Sequence, residues 1–440
     1  MTRQLDRKCK KAACTRPYLV CATRLLTLSV LATFGLILFC PRAIADKSTP
    51  SGVRFASKSG LSERVGGVSV ADGQLVVAGT NKTFVPRGFT SVGVVYPTPY
   101  AHMLCSRHFR QSAAAESLRE AQMAMTAGPE RGWRYNGSLH GMIYNWDANI
   151  VRYQVSQGAL DYEHAHRLTA YADMVRNVVA KARAAGLVVI LAMQTGRYSC
   201  TPHEKDGELQ RLPDLNTEHA WKYLLNPALT HDKGVILEVF NEPSTLKACN
   251  LGTLLHPDWR AWETGCGTEP QQGMLTVGKY LRSIAPENVL LFDGDGVNFG
   301  FRDFVVPRGM PSNSAFTFHP YSYVVRGNKA ASIKAWNAQF GDFRNRGHAL
   351  FVTEWNEAFK CKDPNQTITN YFILKYLPAH SIGMIGYGWD APAHGSGYLV
   401  NSYDYPGNKA NYQLVDPNAS GCVDNGGRVL QQLFKDEGER

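Results

Sequence analysis

Eight short apolar runs dominate the sequence, and each of them ends in polar or aromatic residues. The runs are rich in Val, Ile, Leu and Phe without strict polar alternation, which is typical of parallel strands covered on both faces. This pattern restricts the chain to folds built on a large parallel sheet, either open or closed. The runs are Phe84–Val95, Asn149–Val155, Leu187–Met193, Val235–Phe240, Asn288–Phe292, Ala315–Phe318, Ala349–Thr353 and Ile382–Gly388.

Between the runs lie segments whose apolar residues recur every three to four positions, as in helices. Strands and helices alternate with no break in composition, which predicts one (β/α)8 TIM barrel with long βα loops over residues 66–440. A doubly wound sheet is the alternative, but it normally carries a glycine-rich phosphate turn after its first strand, and Arg87-Gly88-Phe89 offers none. The predicted helices are Tyr162–Ala185, Glu218–Leu225, Gln271–Ile284, Ser332–Phe343 and Asn370–Ala379.

A short polar stretch and a hairpin precede the barrel. Residues 46–65 are rich in Ser, Gly and Lys and are predicted to be a linker. Two apolar tripeptides then flank Asp72-Gly73, a dipeptide that favours a tight hairpin turn. We therefore predict a small N-terminal β-hairpin with strands at Val68-Ser69-Val70 and Leu75-Val76-Val77.

The net charge of +10 is concentrated in the first 45 residues. They hold eight basic side chains against Asp6 alone, so that only three net positive charges remain for the rest of the chain. A nearly neutral body argues against a nucleic-acid partner, which requires a basic surface. The basic segment is followed by the apolar run Leu25–Cys40 and by Ala43-Ile44-Ala45, which suits a signal peptidase.

Residues 1–45 are therefore predicted to be a secretory signal, with an uncleaved signal anchor as the alternative. The apolar run is short for a spanning helix of about 20 residues, which favours cleavage. Cleavage would leave the protein secreted or periplasmic, whereas an anchor would hold it on the membrane with the barrel outside the cytoplasm. Membrane contact is expected only through such an anchor.

Six cysteines lie beyond the leader, an even number that suits disulfides in an exported chain. Cys249 and Cys266 are the closest pair in sequence, and we predict a local bridge between them. The pairing of the others stays open. They are Cys105, Cys200, Cys361 and Cys422.

Two glutamates end two of the predicted strands. The fourth run continues into Asn241-Glu242-Pro243, and the seventh continues into Glu354. Since active sites of such barrels form where strands end, we expect both carboxylates to lie in one cleft. Glycoside hydrolysis requires such a pair, with one carboxyl protonated to assist the leaving oxygen and the other ionised to attack the sugar.

The Asn-Glu-Pro tripeptide at the end of the fourth strand resembles glycoside hydrolase family 5, the large cellulase family. The resemblance runs strand by strand over the whole mature chain. It implies that Glu242 is the acid/base, that Glu354 is the nucleophile, and that Asn241 binds the sugar 2-hydroxyl. It further implies that Arg152 keeps the nucleophile ionised and that three residues line the cleft, with the last of them stacking on the sugar. These three are His319, Tyr321 and Trp389.

One position departs from the family pattern. The family usually has a histidine at the end of strand three, where this chain has Gln194. Glutamine keeps the capacity to form hydrogen bonds but cannot titrate. We interpret the change as an altered substrate contact rather than a loss of catalysis.

Four other carboxylates compete for a place in the site. Glu238 lies in mid-strand and is expected to face the core or the helices, and Glu357 lies in the loop past strand seven. Two aspartates follow strand five and are expected to line the cleft without taking part in chemistry. They are Asp293 and Asp295.

The substrate implied by the resemblance is a β-linked polysaccharide or oligosaccharide, and the expected activity is that of an endo-β-1,4-glucanase. A β-mannanase or another β-glycosidase of the family is the alternative, and a non-catalytic carbohydrate-binding envelope protein is the alternative of another class. No metal or organic cofactor is required, and a monomer is expected. Specificity should reside in the loops Pro97–Ser138, Thr195–Asn216, Ser244–Glu269 and Ala391–Gly427, whose candidate sugar platforms are Tyr96, Tyr100, Tyr198, Trp259, Trp262 and Tyr398.

Overall fold

The computed structural model describes the hairpin, the barrel and the C-terminal helix of the 440-residue chain. The described residues are 65–91, 139, 142–143, 146–160, 169–194, 211–267, 271–321, 325–356, 359–360, 363–389, 400–401, 413–414, 423–424 and 426–438. The predicted leader, most of the linker and much of the predicted loops lie outside these ranges. Four of the six candidate sugar platforms also lie outside them, namely Tyr96, Tyr100, Tyr198 and Tyr398.

The N-terminal hairpin is present as predicted. Val68–Ala71 pairs antiparallel with Gln74–Val77. The two turn residues, Asp72 and Gly73, both adopt positive φ angles of 47° and 69°. A two-residue turn with both φ angles positive matches the right-handed twist of the flanking strands, and this explains the preference for Asp-Gly here.

Within the described part of the chain, eight parallel strands close into a barrel, which confirms the predicted (β/α)8 fold and excludes the doubly wound sheet. Each strand pairs with the next along the chain, and the eighth pairs with the first, where Met384 lies opposite Arg87. The strands are β1 (Arg87–Ser91), β2 (Ile150–Ser156), β3 (Val188–Gln194), β4 (Val235–Glu238), β5 (Val289–Asp293), β6 (Ser314–Phe318), β7 (Leu350–Val352) and β8 (Met384–Tyr387).

Helices lie between the strands and follow the last one. Three of them begin earlier than predicted, at Leu215, Lys329 and Asn365, and in the first two a polar cap starts the helix upstream of the apolar periodicity. Asp214 accepts a hydrogen bond from the Thr217 N–H group, and Asn328 accepts one from Ala331. The helices are Gln157–Leu160, Thr169–Ala184, Leu215–Leu224, Pro227–Thr230, Thr245–Cys249, Trp259–Thr264, Met274–Ile284, Lys329–Trp336, Asp342–Asn345, Asn365–Tyr371, Leu377–Ala379 and Gly427–Gly438. Asp295–Asn298 forms one further short helical turn after β5, with left-handed φ angles inside it.

Two of these helical stretches continue through a wider turn, at Asn337–Gly341 and at Phe372–Tyr376. Three short antiparallel strand pairs, the hairpin included, stand outside the barrel in the described ranges. The two beyond the hairpin join Phe359–Lys360 to Val423–Asp424 and Val400–Asn401 to Gln413–Leu414.

Strand alternation divides the barrel interior into an apolar lower half and a polar upper half. In β2, Ile150 belongs to the lower apolar cluster, which includes Val68 and Leu75 of the hairpin. Two residues further along the same face comes Arg152, which is fully buried. The same step leads from Ile236 to Glu238 in β4 and from Leu291 to Asp293 in β5. The fold thus collects buried polar side chains at the carboxyl ends of the strands.

The predicted bridge between Cys249 and Cys266 is present and closes the loop after β4. The other cysteines beyond the leader lie outside the described residues. Among the described helices, none is both long enough and apolar enough to cross a membrane.

Substitution of Gly88 in β1 tests how tightly neighbouring strands of the barrel pack. A methyl group at this position would collide with the carbonyl oxygen of Ile150 in the neighbouring strand, and neither backbone can move without breaking the ladder. We expect Gly88→Ala to lower the free energy of unfolding by about 1–3 kcal/mol, measured by urea denaturation. Gly66→Ala is the matched control, because a methyl group there meets no atom within 4 Å. Equal stability of the two variants would contradict this packing.

Candidate active site

Arg152 of β2 is the centre of the polar half of the barrel. Its guanidinium is fully buried and donates to the Glu238 carboxylate through Nε at 2.7 Å and Nη2 at 2.5 Å. Nη1 donates to Glu354 Oε1 at 2.6 Å and to Thr90 Oγ1 at 3.4 Å. Nη2 also donates to Asn241 Oδ1 at 2.5 Å. One cation therefore connects β1, β2 and the carboxyl ends of β4 and β7.

The charge of Arg152 is maintained by its neighbours. Burial alone would lower the pKa of the guanidinium, but the negative charges of Glu238 and Glu354 outweigh it and raise the pKa well above its ordinary value. The side chain is therefore protonated at neutral pH.

Glu354, which follows β7, is held by three donors. Besides Arg152, Gln154 Nε2 donates to Oε1 at 2.7 Å and the Tyr321 hydroxyl donates to Oε2 at 2.6 Å. Burial would raise the pKa of Glu354, but the positive charges of His319 and Arg152 and the hydrogen bonds from Tyr321 and Arg152 bring it below its ordinary value. Glu354 is therefore ionised at neutral pH.

Glu242, which follows β4, has a different environment. Its side chain is 30% exposed, against 6% for Glu354. Its backbone adopts a φ of +53°, a left-handed conformation that costs a non-glycine residue about 1–3 kcal/mol. The Glu242 N–H group donates to Asp293 Oδ2 at 2.9 Å, which ties this conformation to β5.

His319, which follows β6, lies between the two glutamates. Its Nδ1 atom is 3.1 Å from Glu242 Oε1 and 3.8 Å from Glu354 Oε2. Its Nε2 atom is 2.9 Å from Thr353 Oγ1, which in turn lies 2.6 Å from Thr317 Oγ1. The two hydroxyls fix the plane of the ring, so that Nδ1 points at the carboxylates.

Glu242, His319 and Glu354 present ligand atoms within 4.8 Å of one another, close enough to share a cation. The donors around them suit a carboxylate pair better than a metal. Glu354 already accepts hydrogen bonds on both oxygens and lies against a guanidinium, which would repel a second cation. The arrangement therefore suits proton transfer and nucleophilic attack.

The other predicted residues are placed less directly at this cluster. Gln194 ends β3, and its Oε1 atom is buried without a hydrogen bond to any described residue. Trp389 follows β8 and is fully buried, with ring centroids 4.7 Å from Phe89 and 6.4 Å from Trp146. Contact of either side chain with a sugar stays a prediction.

Of the two described platform candidates, Trp262 packs inside the protein and Trp259 is partly buried. Trp262 is fully buried and donates from Nε1 to the Asp293 carbonyl at 3.0 Å. Trp259 packs 4.5 Å from the Phe304 ring and donates to the Arg302 carbonyl. For Trp262 the sugar-platform prediction is wrong, because its ring is enclosed by neighbouring aromatic side chains.

Of the competing carboxylates, Glu238 faces the barrel interior and binds Arg152, not the helices. Asp293 is fully buried, and Asp295 is buried beside Thr245, which donates to it from its N–H group at 2.8 Å. Glu357 lies outside the described residues.

Gln154 was not predicted from the sequence as a site residue. Its spacing of two from Arg152 in a buried strand is the signal that could have identified it.

Loss of the hydrogen bond from Tyr321 should change the pKa of Glu354 measurably. Tyr321→Phe removes a donor to the ionised carboxylate, so the pKa of Glu354 should rise, measured by carbon-13 NMR titration of the glutamate carboxyl carbons. Because the folded pKa of Glu354 is depressed, its contribution to stability is lost as the pH falls through that pKa. In the variant this loss should occur at higher pH.

Tyr280→Phe is the control for this substitution, because Tyr280 lies on the helix Met274–Ile284 and its pKa is influenced by burial and by Glu218, not by Glu354. An unchanged Glu354 titration in Tyr321→Phe, equal to that of the control, would show that the hydrogen bond has no influence on the carboxylate.

Comparisons with known proteins show the family of this chain and agree with its fold. The profile of the cellulase family, glycosyl hydrolase family 5, matches residues 114–393. A β-glucanase from Saccharophagus degradans has a similar structure, with a TM-score of 0.56 at 14% identity over 84% of this chain and 94% of the other, and it is also known in complex with cellotetraose. Among curated protein sequences, none matches the chain significantly.

Two further solved structures are less similar. An endoglucanase from Thermobifida fusca has a TM-score of 0.49 at 16% identity, over 85% of this chain and 98% of the other. A β-mannanase from Thermomonospora fusca has a TM-score of 0.47 at 18% identity, over 79% and 92%. The family profile spans more than half of the 440 residues and covers most of the barrel. This chain therefore belongs to the cellulase family, glycosyl hydrolase family 5.

Proposed function

We propose that this protein is a retaining endo-β-1,4-glucanase. The observation that carries the proposal is the short distance between its two strand-end glutamates, which have carboxylate oxygens within 4.8 Å of each other. Retaining glycosidases hold their carboxyl groups about 5–5.5 Å apart, whereas inverting enzymes need about 6.5–9.5 Å to admit a water molecule. The spacing supports direct attack on the sugar by one carboxylate.

In the first step, an oxygen of Glu354 forms a bond to the anomeric carbon as the bond from that carbon to the leaving oxygen breaks. Glu242 transfers its proton to the leaving oxygen. The product is a glycosyl-enzyme ester on Glu354, with the configuration at the anomeric carbon inverted once.

In the second step, Glu242 acts as a base. It removes a proton from a water molecule, whose oxygen attacks the same carbon, and the carboxylate of Glu354 leaves. The second inversion restores the original configuration, and Glu242 is protonated again for the next cycle.

The environments of the two residues suit these roles. Glu354 is nearly buried among Arg152, Gln154 and Tyr321, which stabilise its ionised form. Glu242 is more open, and both the leaving group and the incoming water need such access. Asn241 is fixed by Arg152 beside them, and its amide NH2 group, which donates to none of the described residues, can donate to a sugar hydroxyl.

The choice of a β-1,4-glucan as substrate rests on the low net charge of the chain beyond residue 45 and on one structural relative. Most of the positive charge of the chain lies in its leader, and a nearly neutral barrel suits an uncharged polysaccharide. The β-glucanase from Saccharophagus degradans binds cellotetraose, a β-1,4-linked glucan. A β-mannanase is the second candidate, since Gln194 replaces the histidine expected at the end of β3 and alters a substrate contact.

We also propose that the protein is exported. The basic segment, the apolar run and the Ala-x-Ala pattern of residues 1–45 support a cleaved signal, and an uncleaved anchor is the alternative. N-terminal sequencing of the protein recovered from its native host distinguishes them: a mature chain that begins at Asp46 supports cleavage.

The roles of the two glutamates can be separated with azide and an activated aryl β-cellobioside. Glu354→Ala should lose at least about 10⁴-fold in kcat, and azide should then occupy the place of the carboxylate and yield the α-glycosyl azide. Glu242→Ala should accumulate the glycosyl-enzyme, which azide converts to the β-glycosyl azide. NMR of the products identifies each anomer.

Glu287→Ala is the control, because Glu287 pairs with His231 and Lys233 on the surface and precedes β5. It should retain wild-type rates. The same anomer from both active-site variants, or full activity of Glu354→Ala, would reject the assignment of roles.

Activity on a polysaccharide panel tests the substrate. We expect reducing-sugar release from β-1,4-glucans with at least about tenfold higher kcat/KM than from β-mannans, since an axial 2-hydroxyl would alter the contact with Asn241. A preference for mannan would favour the second candidate. Binding of either glycan without any release of reducing sugar would indicate a non-catalytic binding protein.

A further inference from the structure

A third carboxyl group lies behind the two glutamates, in a position that the proposed mechanism does not use. Asp293 is the last residue of β5 and is fully buried. Its Oδ2 atom accepts the N–H group of Glu242 at 2.9 Å. Its Oδ1 atom is buried and accepts no hydrogen bond from a described donor. Asp293 therefore contacts Glu242 through Oδ2, while Oδ1 has no donor among the described residues.

Glu238 lies close enough to Asp293 for a hydrogen bond between the two carboxyl groups. Arg152 is the cation that these carboxyl groups share, but its N–H groups are already donated to Glu238, Glu354, Asn241 and Thr90. None of them is donated to Asp293. An ionised Asp293 would thus place two carboxylates against each other inside the protein, and its Oδ1 atom would have no donor among the described residues.

A proton on Asp293 resolves this conflict. A protonated Asp293 can donate through Oδ1 to Glu238 and still accept the Glu242 N–H group through Oδ2. Burial, followed by the negative charge of Glu238, raises the pKa of Asp293 well above its ordinary value, although Arg152 and the Glu242 N–H group oppose the rise. The charged groups that face Asp293 are Glu238 and Arg152.

We propose that Asp293 is a neutral positioning residue, which carries its proton toward Glu238 and holds the backbone of Glu242 through its other oxygen. This inference rests on the proposed function only for its effect on catalysis. By staying neutral, Asp293 fixes the left-handed backbone of Glu242 without adding a third negative charge around Arg152. The single positive charge then remains shared between Glu238 and Glu354 alone.

The turn that follows β5 also holds the backbone near the site through hydrogen bonds. Val297 donates its N–H group to the Pro243 carbonyl at 2.8 Å, and the Asn298 carbonyl accepts the His319 N–H group at 2.8 Å. Both residues adopt left-handed backbones, with φ of 61° and 60°. The end of β5 thus contacts the backbone on either side of the site, and Asp293 is its direct contact with Glu242.

Infrared spectroscopy tests the proton directly. At neutral pH the wild-type protein should show the carbonyl band of a protonated carboxyl group in addition to that of Glu242, and Asp293→Asn should lose this additional band. Asp303→Asn is the matched control, because Asp303 is an exposed aspartate with a left-handed backbone that asparagine tolerates. It should leave the band unchanged. A protonated-carboxyl absorption in Asp293→Asn that equals that of the wild type in position and intensity would overturn the inference.

Kinetics test the positioning role. Asp293→Val removes both hydrogen bonds and should lower kcat about 10–100-fold with little change in KM, because the acid/base residue is misplaced while most sugar contacts remain. The kcat of Asp293→Asn should be at least tenfold higher than that of Asp293→Val, since the asparagine amide can donate to Glu238 and accept from the Glu242 N–H group. An Asn variant as slow as the Val variant would contradict the role.

The pH dependence of Asp293→Asn tests whether Asp293 is neutral even if Asp293→Val does not fold. Removing a neutral group should leave the acidic limb of the kcat/KM profile in place. A limb displaced to lower pH would show that Asp293 was ionised, because the loss of a negative charge makes Glu354 easier to ionise. A wild-type chain inactive on every glycan would reject the proposed function, yet the infrared band would still decide the state of Asp293.

Discussion

The site depends on one buried positive charge. The guanidinium of Arg152 lies within the barrel and donates to acceptors from β1 and from the ends of β4 and β7. Taking such a group out of water is costly, and ion pairs of this kind seldom add net stability. Removing Arg152 would leave Glu238 and Glu354 buried without their partner, at a cost of about 3–5 kcal/mol. The cluster is therefore best understood as a device for orienting and ionising Glu354.

The barrel makes this concentration of charge possible. The lower interior is filled by apolar side chains and closed by the N-terminal hairpin, so that the polar half need not hold the strands together. Between strands and helices, a second apolar layer includes outward-facing residues of the same strands. With stability supplied by these two layers, the upper half can tolerate a cluster of buried carboxylates and the left-handed backbone at Glu242.

The sequence predicted the fold and the two glutamates because both are local signals. The strand runs, the Asp-Gly turn and the residues that end β4 and β7 can each be identified within a few positions. The environment of Glu238 could not be predicted in this way. Its interior face follows from alternation, but its partner lies two strands away in β2, and only the closure and register of the barrel bring Glu238 and Arg152 together.

The two catalytic candidates differ because the protein surrounds them unequally. Glu354 is stabilised as an anion by side chains, through the charges of Arg152 and His319 and the hydroxyl of Tyr321. Glu242 is instead held by its backbone, whose N–H group is bound to β5, while its carboxyl remains partly exposed beside His319. A side chain that must alternately release and accept a proton benefits from such freedom, because strong donors would fix it in one state. Backbone positioning of one glutamate and side-chain stabilisation of the other thus suit the acid/base and nucleophilic roles that we propose for two identical residue types.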